Sequence, residues 1–79
     1  MRIDKYLKVA RIIKRRTVAN EACGQGRVLL NDKPAKAGSS VAAGDVIEVK
    51  FGDQTRRYRV KEVADHVPKG DVKNLYEEL

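Results

Sequence analysis

The spacing of apolar residues changes once along this 79-residue chain, at Gly26, and the change divides it into a helical part and a sheet-forming part. Before Gly26, the residues Ile3, Tyr6, Leu7, Ala10 and Ile13 recur at intervals of three and four, the period of one helical stripe. Asp4 falls in the first turn, where the helix dipole favours an anion. A second helix follows a very short connection. Thr17 is placed to cap it, Val18, Ala19, Ala22 and Cys23 form its apolar face, and Gly26 stands just past its end. Gly24 costs about 1 kcal/mol relative to alanine within a helix and predicts a frayed last turn.

Beyond Gly26 the period becomes two. Arg27 to Asn31 reads as a strand, with a turn at Asn31, Asp32 and Lys33 and a return over Pro34 to Ala37. In Val46 to Phe51, Ile47, Val49 and Phe51 share one face, and the turn at Gly52 and Asp53 leads into a partner strand alternating Arg56, Tyr58 and Val60 with Arg57, Arg59 and Lys61. Pro68, Lys69 and Gly70 break the pattern. Asp71 is then placed to cap a short final helix carrying Val72, Leu75, Tyr76 and Leu79. The expectation is an α+β fold of two N-terminal helices packed on a small antiparallel sheet, with a hairpin and short C-terminal helix, in a single domain spanning 1–79. A domain this small buries only about 60% of its unfolded surface, so its core is modest and a large catalytic cleft is not expected.

Charge is as unevenly distributed as periodicity. Ten Lys and Arg residues against three acids give residues 1–36 a net +7, whereas seven against eight leave residues 37–79 at −1. On a helical wheel Lys5, Lys8, Arg11 and Arg15 lie opposite the apolar stripe of the first helix. Lys14, Arg15 and Arg16 fall at the corner before the second helix, beside backbone amides that have no intrahelical acceptor. Cationic side chains gathered there form a phosphate grip and give the chain the electrostatic footprint of a nucleic-acid-binding surface.

Other chemistry finds little support. A single cysteine, Cys23, excludes an internal disulfide framework and reads as core. No apolar run approaches the roughly 20 residues that cross a bilayer, and no apolar stretch with a cleavage site follows the N-terminus. A soluble, cytoplasmic, metal-free protein without cofactors is expected. His66 has no second histidine and reads as a solvated loop residue; Asp71, Glu77 and Glu78 read as a cap and a solvated tail. Tyr6, Phe51, Tyr58 and Tyr76 are the only aromatic residues, too few and too apolar in setting for a base-stacking platform. Arg56, Arg57, Arg59 and Lys61 fit equally a second RNA-contacting strand or charges that guard a sheet edge.

Arg2-Ile3-Asp4-Lys5-Tyr6-Leu7, Arg11 with Lys14-Arg15-Arg16-Thr17 and Ala19, Gly26-Arg27-Val28, Asn31, Lys36 and Gly44-Asp45-Val46-Ile47 together resemble the alpha-L RNA-binding domain named after small-subunit ribosomal protein four. The likeness covers residues 1–50, with the hairpin and last helix of 51–79 outside it. At this length it is expected to stand without a partner domain, and it is similar to the stand-alone group of that family, which holds heat-shock protein fifteen and the quality-control protein RqcP. The resemblance implies a non-catalytic factor on large ribosomal subunits obstructed by peptidyl-tRNA, touching ribosomal RNA and tRNA. It implies a role in alanine-tail elongation beside a separate protein that recruits alanyl-tRNA. The implied RNA-contacting residues are Arg2, Lys5, Lys8, Arg11, Lys14, Arg15, Arg16, Asn20, Arg27, Asn31, Lys33 and Lys36, with Arg56, Arg57 and Arg59 secondary, in a monomer.

Two positions depart from the family pattern: Asp32 follows Asn31 where glycine is common, and Gly24 loosens the second helix. The alternatives are a heat-shock-type recycling factor for subunits bearing nascent chains and the RNA-targeting module of an RNA-modifying enzyme. With a plausible docking helix in its last residues, the chain is expected not to be a truncated form of the latter. A DNA-binding helix-turn-helix is disfavoured, because Val18 to Gln25 offers only Asn20, Glu21 and Gln25 to read bases.

Overall fold

The computed structural model describes residues 1–79, which form α1 (Ile3–Val9), α2 (Arg16–Gly24), β1 (Val28–Leu30), β2 (Lys33–Pro34), β3 (Val46–Phe51), β4 (Gln54–Val60), a 3-10 helix (Lys69–Asn74) and β5 (Tyr76–Glu78). The strands make one sheet in the order β2-β1-β3-β4-β5, antiparallel at every pairing. Ile3, Tyr6, Leu7 and Ala10 at α1, with Ala19, Ala22 and Cys23 of α2, bury themselves against Val28, Ile47, Val49, Tyr58 and Val60 from the sheet. Two layers around one core follow from two faces of different period. No helix is long and apolar enough to cross a membrane.

Both helices end in the same hydrogen-bonded device. At the end of α2 the Gly26 amide donates to the Cys23 carbonyl at 3.1 Å and the Arg27 amide to the Ala22 carbonyl at 2.9 Å, with Gly26 at φ 74°. This is a Schellman motif, whose left-handed residue is normally glycine. At the end of α1 the Arg11 amide donates to the Lys8 carbonyl and the Ile12 amide to the Leu7 carbonyl, both at 3.0 Å, and the left-handed residue is Arg11 at φ 58°. A side chain there costs about 1 kcal/mol that glycine avoids. The apolar stripe therefore outruns α1: Ile13 is buried, yet it lies beyond the helix, its amide bonded to the Leu7 carbonyl at 3.1 Å.

Three further sequence expectations are corrected. Thr17 does not cap α2, because the helix begins at Arg16 with Arg15 as the flanking residue and no side chain bonds the first turn. Val18 is 47% exposed, since the contact with α1 and the sheet is made by Ala19, Ala22 and Cys23, whose small side chains permit close approach. The final segment is not an α-helix ending at Leu79. Residues Lys69–Asn74 form a 3-10 helix, and Tyr76–Glu78 pair with the outer edge of β4, Tyr76 opposite Val60 and Glu78 opposite Tyr58. So short a helix is marginal alone, whereas pairing satisfies an open sheet edge and sets the Tyr76 ring edge-on to Tyr58 at 5.2 Å.

The hairpin turns follow their sequences. Asn31 and Asp32 both take positive φ, at 51° and 68°, forming a two-residue turn between Leu30 and Lys33, as a type I′ geometry requires. Aspartate therefore occupies the place where glycine is usual without opening the hairpin. The Asn31 amide group donates to Asp45 at 3.2 Å and its side-chain oxygen accepts from the Val46 amide at 2.9 Å, bracing the turn against the start of β3.

Tyr6 ties α1 to the last segment, its buried hydroxyl donating to the Leu75 carbonyl at 2.6 Å. Burial, helped by the neighbouring Tyr76, raises the Tyr6 pKa well above the usual phenol value of 10.0. With the folded value raised, the tyrosine's contribution is complete below pH 10 and is lost as pH rises further. Alkaline unfolding monitored by circular dichroism should show stability falling above about pH 10, and Tyr6→Phe should remove that component while costing about 1 kcal/mol at neutral pH. Gly26→Ala should lower the unfolding free energy in urea by about 1 kcal/mol.

Candidate nucleic-acid interface

The start of α1 is strapped to the chain that follows β2: the Ile3 amide donates to the Ser39 carbonyl at 2.7 Å and the Val41 amide to the Met1 carbonyl at 2.8 Å. Arg2 forms an isolated bridge with Ser40, which fixes its backbone before α1 begins. From that position its guanidinium donates to both oxygens of Asp4, Nε to Oδ1 at 3.2 Å and Nη2 to Oδ2 at 3.1 Å. Arg16 reaches the same carboxylate from the first residue of α2, Nη2 to Oδ1 at 3.4 Å, and the Lys5 amide donates to Oδ1 at 2.8 Å. The Asp4 side chain is 3% exposed, whereas those of Arg2 and Arg16 are 54% and 46% exposed. Two guanidiniums thus share one buried carboxylate and present their remaining donors to solvent. Asn20, Thr17 and Glu21 complete the shallow groove around them.

Desolvation by itself would raise the Asp4 pKa, but hydrogen bonds from Arg2, Arg16 and the Lys5 amide outweigh it and hold the carboxyl below the ordinary aspartate value of 3.8. Burial raises the pKa of the Cys23 thiol, reinforced by the Asp4 charge, and the side chain packs as a core group.

The remaining expected residues separate into groups. Lys8, Arg11, Lys14 and Arg15 are exposed, cluster around the corner between α1 and α2, and form no ion pair. Lys8, Arg11 and Lys14 line a concavity of about 600 Å³ with Asp65, His66 and Val67 from the segment after β4. Lys5 is held by Asp65, Nζ to Oδ1 at 3.0 Å. Arg27 is turned to the backbone, donating from Nε and Nη2 to the Lys50 carbonyl, each at 3.2 Å, and from Nη1 to Gln25. Asn31 is engaged by Asp45 and Val46 as described, and Lys33 and Lys36 stand exposed around the first hairpin. Arg56, Arg57 and Arg59 face Glu78 at 3.9 Å, Glu48 at 3.7 Å and Glu77 at 3.6 Å respectively. The cations of that sheet cluster are ion-paired, and those of the α1–α2 corner are not.

The S4 domain family matches residues 1–47 of this sequence. The chain belongs to that family. Among its S4 relatives, proteins named RQC P-site tRNA stabilizing factor are 46% identical over 77 residues in Halalkalibacterium halodurans and 46% identical over 76 residues in Bacillus subtilis. These alignments cover 98% and 96% of this chain and 88% of each relative. A heat shock protein 15 homolog of Aeromonas salmonicida is 35% identical over 79 residues, covering 99% of this chain and 60% of that protein. The solved structure of Vibrio cholerae heat shock protein 15, which is trimeric, shares the S4 chain's fold at a TM-score of 0.92 with 29% identity, over 100% of this chain and 81% of that one.

The sequence alone pointed to the cations and not to what holds them. The strap from Ala37 to Val41 has no motif, and nothing in the spacing of Arg2, Asp4 and Arg16 specifies a shared carboxylate. With the folded pKa of Asp4 depressed, its contribution to stability is present above the ordinary aspartate value and is lost as pH falls through the folded one. Asp4→Asn should therefore flatten the acid limb of the stability curve below about pH 4 and cost about 1–2 kcal/mol at pH 7 in urea unfolding.

Proposed function

We propose that this S4 protein is a non-catalytic RNA-binding factor of the large ribosomal subunit, contacting ribosomal RNA and the tRNA of obstructed peptidyl-tRNA complexes during alanine-tail elongation. A separate protein that recruits alanyl-tRNA would act beside it, and it would work as a cytoplasmic monomer. The name shared by the relatives at 46% identity supports the tRNA assignment. The observation that carries the reading is the groove of Arg2 and Arg16, where two exposed planar forks are pre-positioned by one buried carboxylate at a helix start with no acidic residue in its first turn.

Structured RNA is read largely through backbone shape and ribose hydroxyls, for which fixed guanidiniums are suited and stacked aromatics are dispensable. Both forks retain donors that Asp4 does not use, and the free amides at the start of α2 lie beside Arg16. Asn20 supplies a neutral donor and acceptor in the same groove. Lys8, Lys14, Arg15, Lys33 and Lys36 would extend the field along the RNA, and Lys5, Arg27 and Asn31 would hold its framework. Arg56, Arg57 and Arg59 would contribute only by giving up their glutamates. The likeness to heat shock protein 15 favours one second reading, a recycling factor for subunits bearing nascent chains, which differs in not requiring alanine-tail synthesis.

Sedimentation with purified large subunits carrying peptidyl-tRNA tests the reading. Arg16→Ala should weaken association about tenfold, as the loss of a hydrogen bond to a charged group requires, while changing stability by less than about 1 kcal/mol. The logarithmic salt slope should become shallower by about 0.7–0.9. Unchanged co-sedimentation of Arg16→Ala at every salt concentration would refute the proposal.

A further inference from the structure

The chain closes two helices with the same Schellman motif, and only one of them uses glycine at the left-handed position. Arg11 adopts φ 58° where Gly26, in the equivalent place, adopts 74°. A strained, exposed side chain that performs no folding task is a mark of a functional position. Arg11 forms no ion pair and no side-chain hydrogen bond within the molecule; its side chain lines the concavity it shares with Lys8, Lys14, Asp65 and His66. Asp65 is already paired with Lys5 at 3.0 Å, so the three cations that line the concavity, Lys8, Arg11 and Lys14, are left without a carboxylate of their own.

We infer that this concavity is a second phosphate-binding subsite, separate from the Arg2–Arg16 groove, that takes an RNA phosphodiester between Arg11 with its neighbouring lysines and His66. The inference rests on the RNA-binding reading and adds to it a contribution from the segment after β4, which lies beyond the residues matched by the S4 domain. The two subsites sit at opposite ends of α1: Arg2 flanks its first turn and Lys8 occupies its last. Six residues of helical rise place their backbones about 9 Å apart along the axis, so one strand crossing α1 lengthwise, or two neighbouring strands, can occupy both. Arg11 supplies a planar fork for two oxygens, Lys8 and Lys14 supply mobile charge, and His66 supplies a ring N–H donor from the segment after β4. A lone histidine in a loop shows nothing of this in sequence. Only the fold brings it to the corner of α1.

The subsite can be tested apart from folding because glycine relieves the Arg11 backbone. Full-length Arg11→Gly, His66→Ala and Arg16→Ala proteins would be titrated against fluorescently labelled large ribosomal subunits at several salt concentrations, with thermal unfolding measured in parallel. Arg11→Gly should bind about fivefold or more weakly with a shallower salt slope, and its melting temperature should be equal to or above wild type. His66→Ala should bind about threefold more weakly at unchanged melting temperature. If Arg16→Ala is weakened while Arg11→Gly or His66→Ala binds as wild type, the second subsite is overturned and the RNA-binding reading stands. If all three bind as wild type, both fall.

Discussion

The buried Asp4 carboxylate is the interaction on which the arrangement of the cationic face depends. It accepts from Arg2 at the entrance to α1, from Arg16 at the first residue of α2, and from the amide of Lys5. One side chain thereby fixes two helix starts and two guanidiniums. A carboxylate removed from water is unfavourable unless its oxygens are satisfied, and here both are, by donors that themselves remain half in solvent. The desolvation falls on the anion while the cations stay exposed. This asymmetry keeps the positive field outside the molecule and its fixing point inside.

Around that point the fold places its cations by backbone geometry. Arg2 is set by the strap to residues 37–41, and Arg16 by the uncapped start of α2. Arg11, Lys14 and Arg15 occupy the tight corner produced when α1 stops at Val9 and a Schellman motif reverses the chain. The strained residue is the one that turns the corner.

Much of the fold could be read from spacing, because the change of period at Gly26 is a direct imprint of a helix pair giving way to a sheet. Ile47, Val49, Tyr58 and Val60 are buried as alternation required. What escaped depended on partners distant in sequence. Ile13 belongs to the core without belonging to the helix, and Val18 is displaced from the core by neighbouring alanines that pack more closely. The Tyr76–Glu78 segment becomes a strand because β4 offers an open edge, a fact invisible in six terminal residues. At the candidate site, charge gave the cationic residues but not their division. Arg27 and Asn31 serve the backbone, Lys5 and the three sheet arginines face carboxylates, and the α1–α2 corner is left free.

That division gives the molecule an electrical direction. Arg57 and Arg59 of β4 are paired with Glu48 of β3 and Glu77 of β5, so the far side of the sheet carries its own counter-charges, and Arg56 pairs with Glu78 along the face shared with Tyr58. The helical side has no such balance. A body with its charge displaced to one side feels a torque in the field of a polyanion, turning helices inward before any atom touches. The sheet would then be left facing outward, with its paired charges as the surface that later arrivals meet.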